Sequence, residues 1–140
     1  MITHNVMDRV FKVTLDVMHI LSNGSARFFV SDKNTSYIEI EIVNSINTLH
    51  LSNYQFKAHF TMPNGTLVRE YSAVEDTLII SLDDAVKKDV GQYIVQLYVI
   101  KGNKTLTLSE FLYQIDDDLK HKTTSEGLCA FLFLLDKLYL

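Results

Sequence analysis

The sequence predicts an all-β protein: an antiparallel sandwich of seven to eight short strands, followed by a short C-terminal tail that could be helical. Apolar and polar residues alternate with a period of two through most of the chain, which is typical of half-buried strands. Turn sequences interrupt this alternation at short intervals, and no long stretch has the apolar spacing of an amphipathic helix. These observations favour two packed sheets over parallel strands connected by helices.

The first half of the chain contains four predicted strands, each recognised by apolar residues at every second position. The turn sequences SNGS and SDKN separate the first three of them, and clusters of such residues are typical of turns. In the third strand Glu39 and Glu41 share one face, which we interpret as solvated. The strands are, in order, the segment with Val13, Leu15 and Val17; the segment ARFFV; the segment with Ile38, Ile40 and Ile42; and the segment with Phe56, Ala58, Phe60 and Met62.

The second half begins with a predicted hairpin at Pro63–Thr66. Its sequence PNGT contains Asn-Gly, the pair that suits positive φ at both central residues of a tight turn. The segments LVREYSA and TLIISL follow as strands, and DDAVKKDV predicts a short helical turn or loop. A long strand then begins at Tyr93. In the last strand, KTLTLSEFLYQI, the apolar parity changes, which predicts a β-bulge near Ser109–Glu110.

Length and composition fit a single domain without disulfides. We expect residues 1–118 of the 140 to form the sandwich, and residues 119–140 to form a linker and an apolar tail. The formal net charge of −4 argues against binding to duplex nucleic acid, which requires a basic surface. Cys129 is the single cysteine, and the longest apolar run, Leu128–Leu135, is far shorter than the ~20 residues of a membrane span. We interpret four lysines as a solvated rim of the domain: Lys87, Lys88, Lys101 and Lys104.

The chain offers no residue pattern with the spacing of a catalytic or metal site. The five histidines are scattered, and neither HxH nor HExxH occurs, so a zinc site is not expected. The five glycines form no phosphate-binding loop and no nucleophile elbow. We therefore predict a protein that is not an enzyme and needs no cofactor. A small esterase or glycosidase is a distant alternative, because we can place neither a nucleophile nor a carboxylate pair.

The segment DVGQYIVQLYV contains an acidic residue, a glycine and a tyrosine at alternate positions: Asp89, Gly91 and Tyr93. This spacing before a long strand is typical of the tyrosine corner of immunoglobulin-like sandwiches, where the hydroxyl bonds back to the chain. We interpret the three residues as a structural corner rather than as an acid–base pair. The inward residues of the strand would then be Tyr93, Val95, Leu97 and Val99.

The opposite face of that strand is unusually apolar. Ile94, Tyr98 and Ile100 would point outward, although such a face is normally polar. A neighbouring loop, the N-terminal arm or the apolar tail could cover them. Alternatively, they form a protein–protein contact surface, since exposed apolar patches often mark interaction sites. We also expect a self-association segment in the tail, formed by Leu128, Phe131, Leu132 and Leu135.

Four segments together resemble the N-terminal domain of phage baseplate upper proteins. They are ARFFVSDKNTSYIEIEI, YQFKAHFTMPNGTLV, DVGQYIVQLYV and SEFLYQIDDDL, and the likeness extends from about Phe11 to Leu119. The order and spacing of the segments carry the resemblance, because each one occurs in many sandwiches. The family usually has Gly-Asp where this chain has Ser31-Asp32. It also usually continues into a long stalk, whereas this sequence ends with LCAFLFLLDKLYL.

The resemblance implies an immunoglobulin-like, non-enzymatic structural module of a phage tail baseplate. Such a module docks on the tail hub, often as an oligomer, and helps to carry host-binding proteins through its C-terminal extension. Its expected location is therefore the virion, after synthesis in the bacterial cytoplasm, and its expected partners are other tail proteins and copies of itself. The alternative is a cell-surface adhesion or carbohydrate-binding sandwich that uses Tyr54, Tyr71 or Tyr98 as a stacking platform. The tail could be a packing helix or the out-of-frame end of a truncated gene.

Overall fold

A computed structural model describes residues 4–45 and 47–117. Within these residues the chain forms ten strands and two single turns of 3-10 helix, at Leu51–Asn53 and Asp84–Val86. The second turn lies in DDAVKKDV, as predicted. The strands are β1 (Arg9–Asp16), β2 (Ser25–Phe29), β3 (Ser36–Asn44), β4 (Asn47–Thr48), β5 (Gln55–Met62), β6 (Gly65–Ser72), β7 (Leu78–Ser81), β8 (Gly91–Lys101), β9 (Lys104–Thr107) and β10 (Phe111–Asp116).

The strands form two sheets, which confirms the predicted sandwich. In the smaller sheet β3 is central, with β1 along one edge and both β4 and β7 along the other. The larger sheet has the order β2-β10-β8-β5-β6, and β9 pairs with the end of β8. Two pairings, β1 with β3 and β2 with β10, are parallel and depart from the predicted antiparallel pattern. The chain crosses to the larger sheet at β2 and returns, so β3 runs in the same direction as β1.

The core lies between the sheets, where the alternating apolar rows meet. Tyr93, Val95, Leu97 and Val99 of β8 are all buried, as the parity of the strand predicts. They pack with the inward rows of the other strands in one cluster of buried residues. Its other large members include Phe11, Phe28, Ile38, Ile40, Ile42, Phe56, Phe60, Phe111 and Tyr113.

Two local predictions differ from the structure. In the hairpin, Met62 pairs with Gly65, so the central residues are Pro63 and Asn64, and only Gly65 of the Asn-Gly pair has positive φ. Proline holds its own φ near −65°, which excludes a turn with positive φ at both central residues. The last segment forms two strands rather than one bulged strand. The chain leaves the sheet edge around Leu108, whose side chain is buried, and resumes pairing at Phe111.

The sandwich has two distinguishable ends. The termini end holds Arg9 of β1, Gly91 of β8 and Asp116 of β10; Gly91 pairs with Ile115, next to Asp116. Arg9 belongs to the smaller sheet but lies at this same end. Its guanidinium is 4.8 Å from the centre of the Phe29 ring, and Phe29 pairs with Asp116. The far end holds the β8–β9 turn. Both ends of the described chain therefore lie at the termini end.

The predicted solvated rim of lysines is wrong for Lys87. Its side chain is 2% exposed, and its ammonium donates to the backbone carbonyls of Phe29, Val30 and Asp32. The distances to the first two are 3.5 and 3.1 Å. The other three lysines are exposed, but Lys88 follows Lys87 near the termini end, while Lys101 and Lys104 lie at the far end. The four lysines therefore form no common rim.

Candidate interaction surface

The predicted corner brings the Tyr93 hydroxyl onto the backbone of Asp89. The hydroxyl donates to the Asp89 carbonyl at 2.8 Å and accepts from the Asp89 N–H at 3.1 Å. Gly91 lies between them with φ +142°, and a Cβ on it would come within 2.7 Å of Pro63 Cγ. Only glycine fits such a position without strain. The contact uses the backbone of Asp89, and this supports the structural interpretation of all three residues.

A second tyrosine extends this corner into the core. The rings of Tyr93 and Tyr113 stack with centroids 4.9 Å apart, and the Tyr113 hydroxyl donates to the Val86 carbonyl at 2.6 Å. Burial raises the pKa of both hydroxyls, that of Tyr113 far above its ordinary value. Like ordinary tyrosine hydroxyls, both groups are protonated at neutral pH and act as hydrogen-bond donors. Together they attach the loop between Val86 and Asp89 to the larger sheet.

The predicted contact residues Ile94, Tyr98 and Ile100 share the outer face of the larger sheet, since their neighbours along β8 point into the core. All three side chains are half-buried. Cross-strand neighbours flank them: Ile94 lies opposite Leu112 of β10, and Tyr98 lies opposite Lys57 of β5. The outward position between Ile94 and Tyr98 is polar, and its Gln96 amide donates to the Leu108 carbonyl at 3.2 Å.

Two further apolar residues on this face were missed by the sequence analysis. Leu112 extends the row beyond Ile94, and Val68 of β6, which is 52% exposed, lies opposite His59 of β5. The alternation of the last strand could have identified Leu112, because its neighbours on either side face the core. Val68 could be assigned to this face only from the register of the β5–β6 hairpin. We call the set Ile94, Tyr98, Ile100, Leu112 and Val68 the apolar stripe.

Charged and polar side chains border the apolar stripe. A shallow depression of about 380 Å³ lies between Tyr98, Ile100 and Val68, and Lys57, His59 and Thr105 complete its lining. Glu70 lies opposite Lys57 on the neighbouring strand, so opposite charges face each other at this border. An apolar centre with a polar rim is the usual composition of a protein–protein interface.

The remaining candidate residues do not form a second site. Tyr71 lies opposite the buried Phe56 and faces inward, whereas Tyr98 faces outward, so the three tyrosines of the carbohydrate-binding alternative form no common platform. On the smaller sheet Glu41, one of the two glutamates predicted to be solvated, accepts a hydrogen bond from the Thr48 hydroxyl at 3.4 Å. Within residues 4–45 and 47–117, no three His, Cys, Asp or Glu side chains are grouped so that they could hold a metal ion. The tail residues Leu128, Phe131, Leu132 and Leu135 lie outside the described residues.

Comparison with known families decides the assignment. Residues 8–128 match the family model described as the BppU N-terminal domain. The chain belongs to the BppU N-terminal domain family. This family is that of the phage baseplate upper protein, so the chain is a structural component of the phage tail baseplate and interacts with other tail proteins. The resemblance of the four sequence segments is thereby confirmed.

A solved structure agrees with this assignment at the level of the fold. The N-terminal domain of phage TP901-1 ORF48 is similar with a TM-score of 0.62 and 16% sequence identity. The similarity covers 76% of this chain and 98% of that one. The comparison with curated proteins found no match. None of the helices among the described residues has the length and apolar character needed to cross a membrane.

Proposed function

We propose that this BppU N-terminal domain docks on the central hub of the phage tail through the apolar stripe and helps to carry host-binding proteins. It acts by binding and catalyses no reaction. The stripe is the observation that carries the proposal. The outer face of an antiparallel sheet is normally polar, whereas here Gln96 is the one polar residue between Ile94 and Ile100 on the outer face of β8. Apolar residues grouped on such a face commonly mark an interaction site.

The arrangement of the stripe supports a stable contact. Ile94 and Leu112 are direct cross-strand neighbours, and Tyr98 and Ile100 continue the same face along β8. Their partial burial within the sheet limits the side-chain freedom that docking would remove. Aromatic residues in the centre of an interface often contribute about 2 kcal/mol or more to binding. We therefore expect Tyr98 to be the principal anchor.

The positions of the first and last described residues support the carrier part of the proposal. The N-terminal segment and Asp117 both lie at the termini end, close to Arg9 and Asp116. A segment that continues from Asp117 can therefore extend away from the sandwich while the outer face of the larger sheet contacts the hub. Host-binding proteins would be attached through such a continuation.

Charge insertion into the stripe tests the docking proposal. We expect Ile94→Asp and Tyr98→Asp to weaken association with the hub protein of the same phage at least tenfold, because a charge would be buried at the contact. Val74→Asp is the matched control: Val74 is 55% exposed in the β6–β7 turn, away from the stripe. Association is measured by co-purification and titration, and folding by thermal unfolding. If both stripe variants leave association and stability unchanged, the stripe is not the docking surface.

Self-association through the tail is a separate part of the proposal. We propose that Leu128, Phe131, Leu132 and Leu135 join copies of the chain, because their apolar side chains recur three and four residues apart. Removal of Leu128–Leu140 is expected to lower the mass measured by light scattering to that of a monomer. An unchanged mass would show that these residues do not hold copies together.

A further inference from the structure

An apolar cleft lies at the far end of the sandwich, opposite the end that holds Arg9 and Asp116. It has a volume of about 880 Å³ and opens between the β8–β9 hairpin and the ends of β1 and β3. Apolar side chains from β8, from β9 and from the residues next to the ends of β1, β4 and β5 form its walls. They are Val17, Leu49, Tyr54, Val99 and Leu106.

The rim of the cleft is positively charged. Lys101 and Lys104 line it, and the Lys101 ammonium lies 5.2 Å from the centre of the Tyr54 ring, a cation–π arrangement that holds this side chain beside the opening. The described residues that line the cleft include no acidic side chain. The cleft therefore combines apolar walls with uncompensated positive charge, although the chain as a whole has a formal net charge of −4.

One strand beside the cleft has an unpaired edge. β9 pairs with β8 along one edge, and the described part of the chain places no backbone hydrogen bond on its other edge. β2 pairs only with β10 and begins opposite Leu112, so it does not extend alongside β9. All four β9 residues are exposed, including Leu106 at 38%. A free edge of this kind can accept an extended peptide as an additional strand.

Exposed apolar side chains in a neighbouring loop enlarge the apolar surface around the cleft. The loop that follows Val17 exposes Met18 by 66% and Ile20 by 87%. This loop begins at the wall of the cleft, since Val17 itself lines it. Large apolar side chains concentrated around an open cleft are the usual feature of a surface that a partner covers.

We propose that the far-end cleft binds an extended, acidic segment of another tail protein. The segment pairs with the free edge of β9. On the side that faces the cleft, its side chains alternate between apolar ones that pack against Leu106 and carboxylates that lie against Lys104 and the neighbouring Lys101, because these three residues share one face of the sheet. The free edge accounts for an extended backbone, the apolar walls for the apolar side chains, and the two lysines for the acidic ones on the same face. The identity of the partner as a tail protein rests on the proposed docking function, but the site is distinct from the apolar stripe.

The experiment uses the full chain, labelled with ¹⁵N, and two soluble eight-residue peptides. In one peptide valine and glutamate alternate along one face of the strand, with threonine at every position between them, and in the other lysine replaces glutamate. The acidic peptide is expected to shift the amide resonances of Lys101–Thr107 and to slow hydrogen exchange along β9. The basic peptide is expected to bind at least tenfold more weakly, because its charges repel the lysines of the rim.

Charge-reversal variants test the role of the rim. The double variant Lys101→Glu, Lys104→Glu is expected to weaken binding of the acidic peptide at least tenfold. The double variant Lys33→Glu, Lys88→Glu is the matched control, since it makes the same change of charge at exposed positions outside the cleft. Equal binding of both peptides, or equal effects of both double variants, would overturn the proposal. So would resonance shifts confined to the stripe.

Two further readouts separate this proposal from its alternatives. Ile94→Asp should leave peptide binding intact, so a failure of hub docking through the stripe can be distinguished from a failure at the cleft. Resonances of β9 are also recorded over a range of protein concentrations without peptide. If they shift with concentration as they do with peptide, a second copy of the chain occupies the cleft, and the assignment to another tail protein is wrong.

Discussion

The buried ammonium of Lys87 leads to a sharp prediction about stability. Its three N–H donors have three acceptors, the carbonyls of Phe29, Val30 and Asp32, which lie at the end of β2 and in the turn that follows. The side chain thereby connects the loop before β8 to the β2–β3 turn. Lys87→Met keeps the length and apolar stem of the side chain but removes every one of these hydrogen bonds.

The expected cost follows from the groups left behind. A buried acceptor that loses its partner costs about 1–3 kcal/mol. The lower end applies here, because Asp32 is half-buried and water can reach the turn, and because the variant no longer buries a charge. The Phe29 carbonyl still accepts from the Asp32 N–H, so two carbonyls lose their partner. At about 1 kcal/mol each they amount to roughly 2 kcal/mol, a substantial part of the ~5–15 kcal/mol that stabilises a typical domain.

Urea unfolding measures this change directly. Lys87→Met should lower the unfolding midpoint by an amount that corresponds to about 2 kcal/mol, without changing the m-value. Lys88→Met is the matched control, because Lys88 is exposed and its loss should change the free energy of unfolding by less than about 0.5 kcal/mol. If the two variants have the same midpoint, the carbonyl contacts of Lys87 do not stabilise the fold.

Three further predictions concern the corner and one buried carboxylate. Tyr93→Phe keeps the stacked ring but loses the bonds to Asp89, and should cost about 1–2 kcal/mol in urea unfolding; a cost under 0.5 kcal/mol would argue against the corner. In Gly91→Ala the added Cβ would contact Pro63, and we expect the free energy of unfolding to fall by roughly 1–3 kcal/mol. Gly24→Ala should lower it less, because its added Cβ has open space; equal costs would contradict the steric argument. Hydrogen bonds from the Met18 and Ser45 N–H groups lower the pKa of Asp16. The stability that the ionised Asp16 contributes is therefore present above about pH 4 and is lost as the pH falls further. In Asp16→Asn the free energy of unfolding should decrease less steeply below about pH 4 than in the unchanged protein, and an equal decrease would refute this.

Local sequence patterns were sufficient for most elements of the fold, although they missed the two-residue β4 and joined β9 and β10 into one strand, so that seven to eight strands were predicted instead of ten. The period-two alternation in β1, β3, β5 and β8 identifies both the strands and their inward faces, because a side chain in a strand can point only to one face or the other. The same rule placed Ile94, Tyr98 and Ile100 on one outer face before any pairing was known. The spacing of Asp89, Gly91 and Tyr93 indicated the corner for a similar reason, since a hydroxyl that bonds back four residues depends on local geometry.

Only the tertiary structure decided which segments meet. The parallel pairing of β1 with β3 depends on where β2 lies, and no local pattern contains that information. Lys87 lies in a polar segment typical of an exposed turn, yet it is buried because the end of β2 lies over it and offers three carbonyls. Val68 and the far-end cleft likewise arise from strand register and from the distance between sheets. Sequence determines the period and the turn chemistry residue by residue, whereas burial and site formation depend on contacts between residues that are distant in the chain.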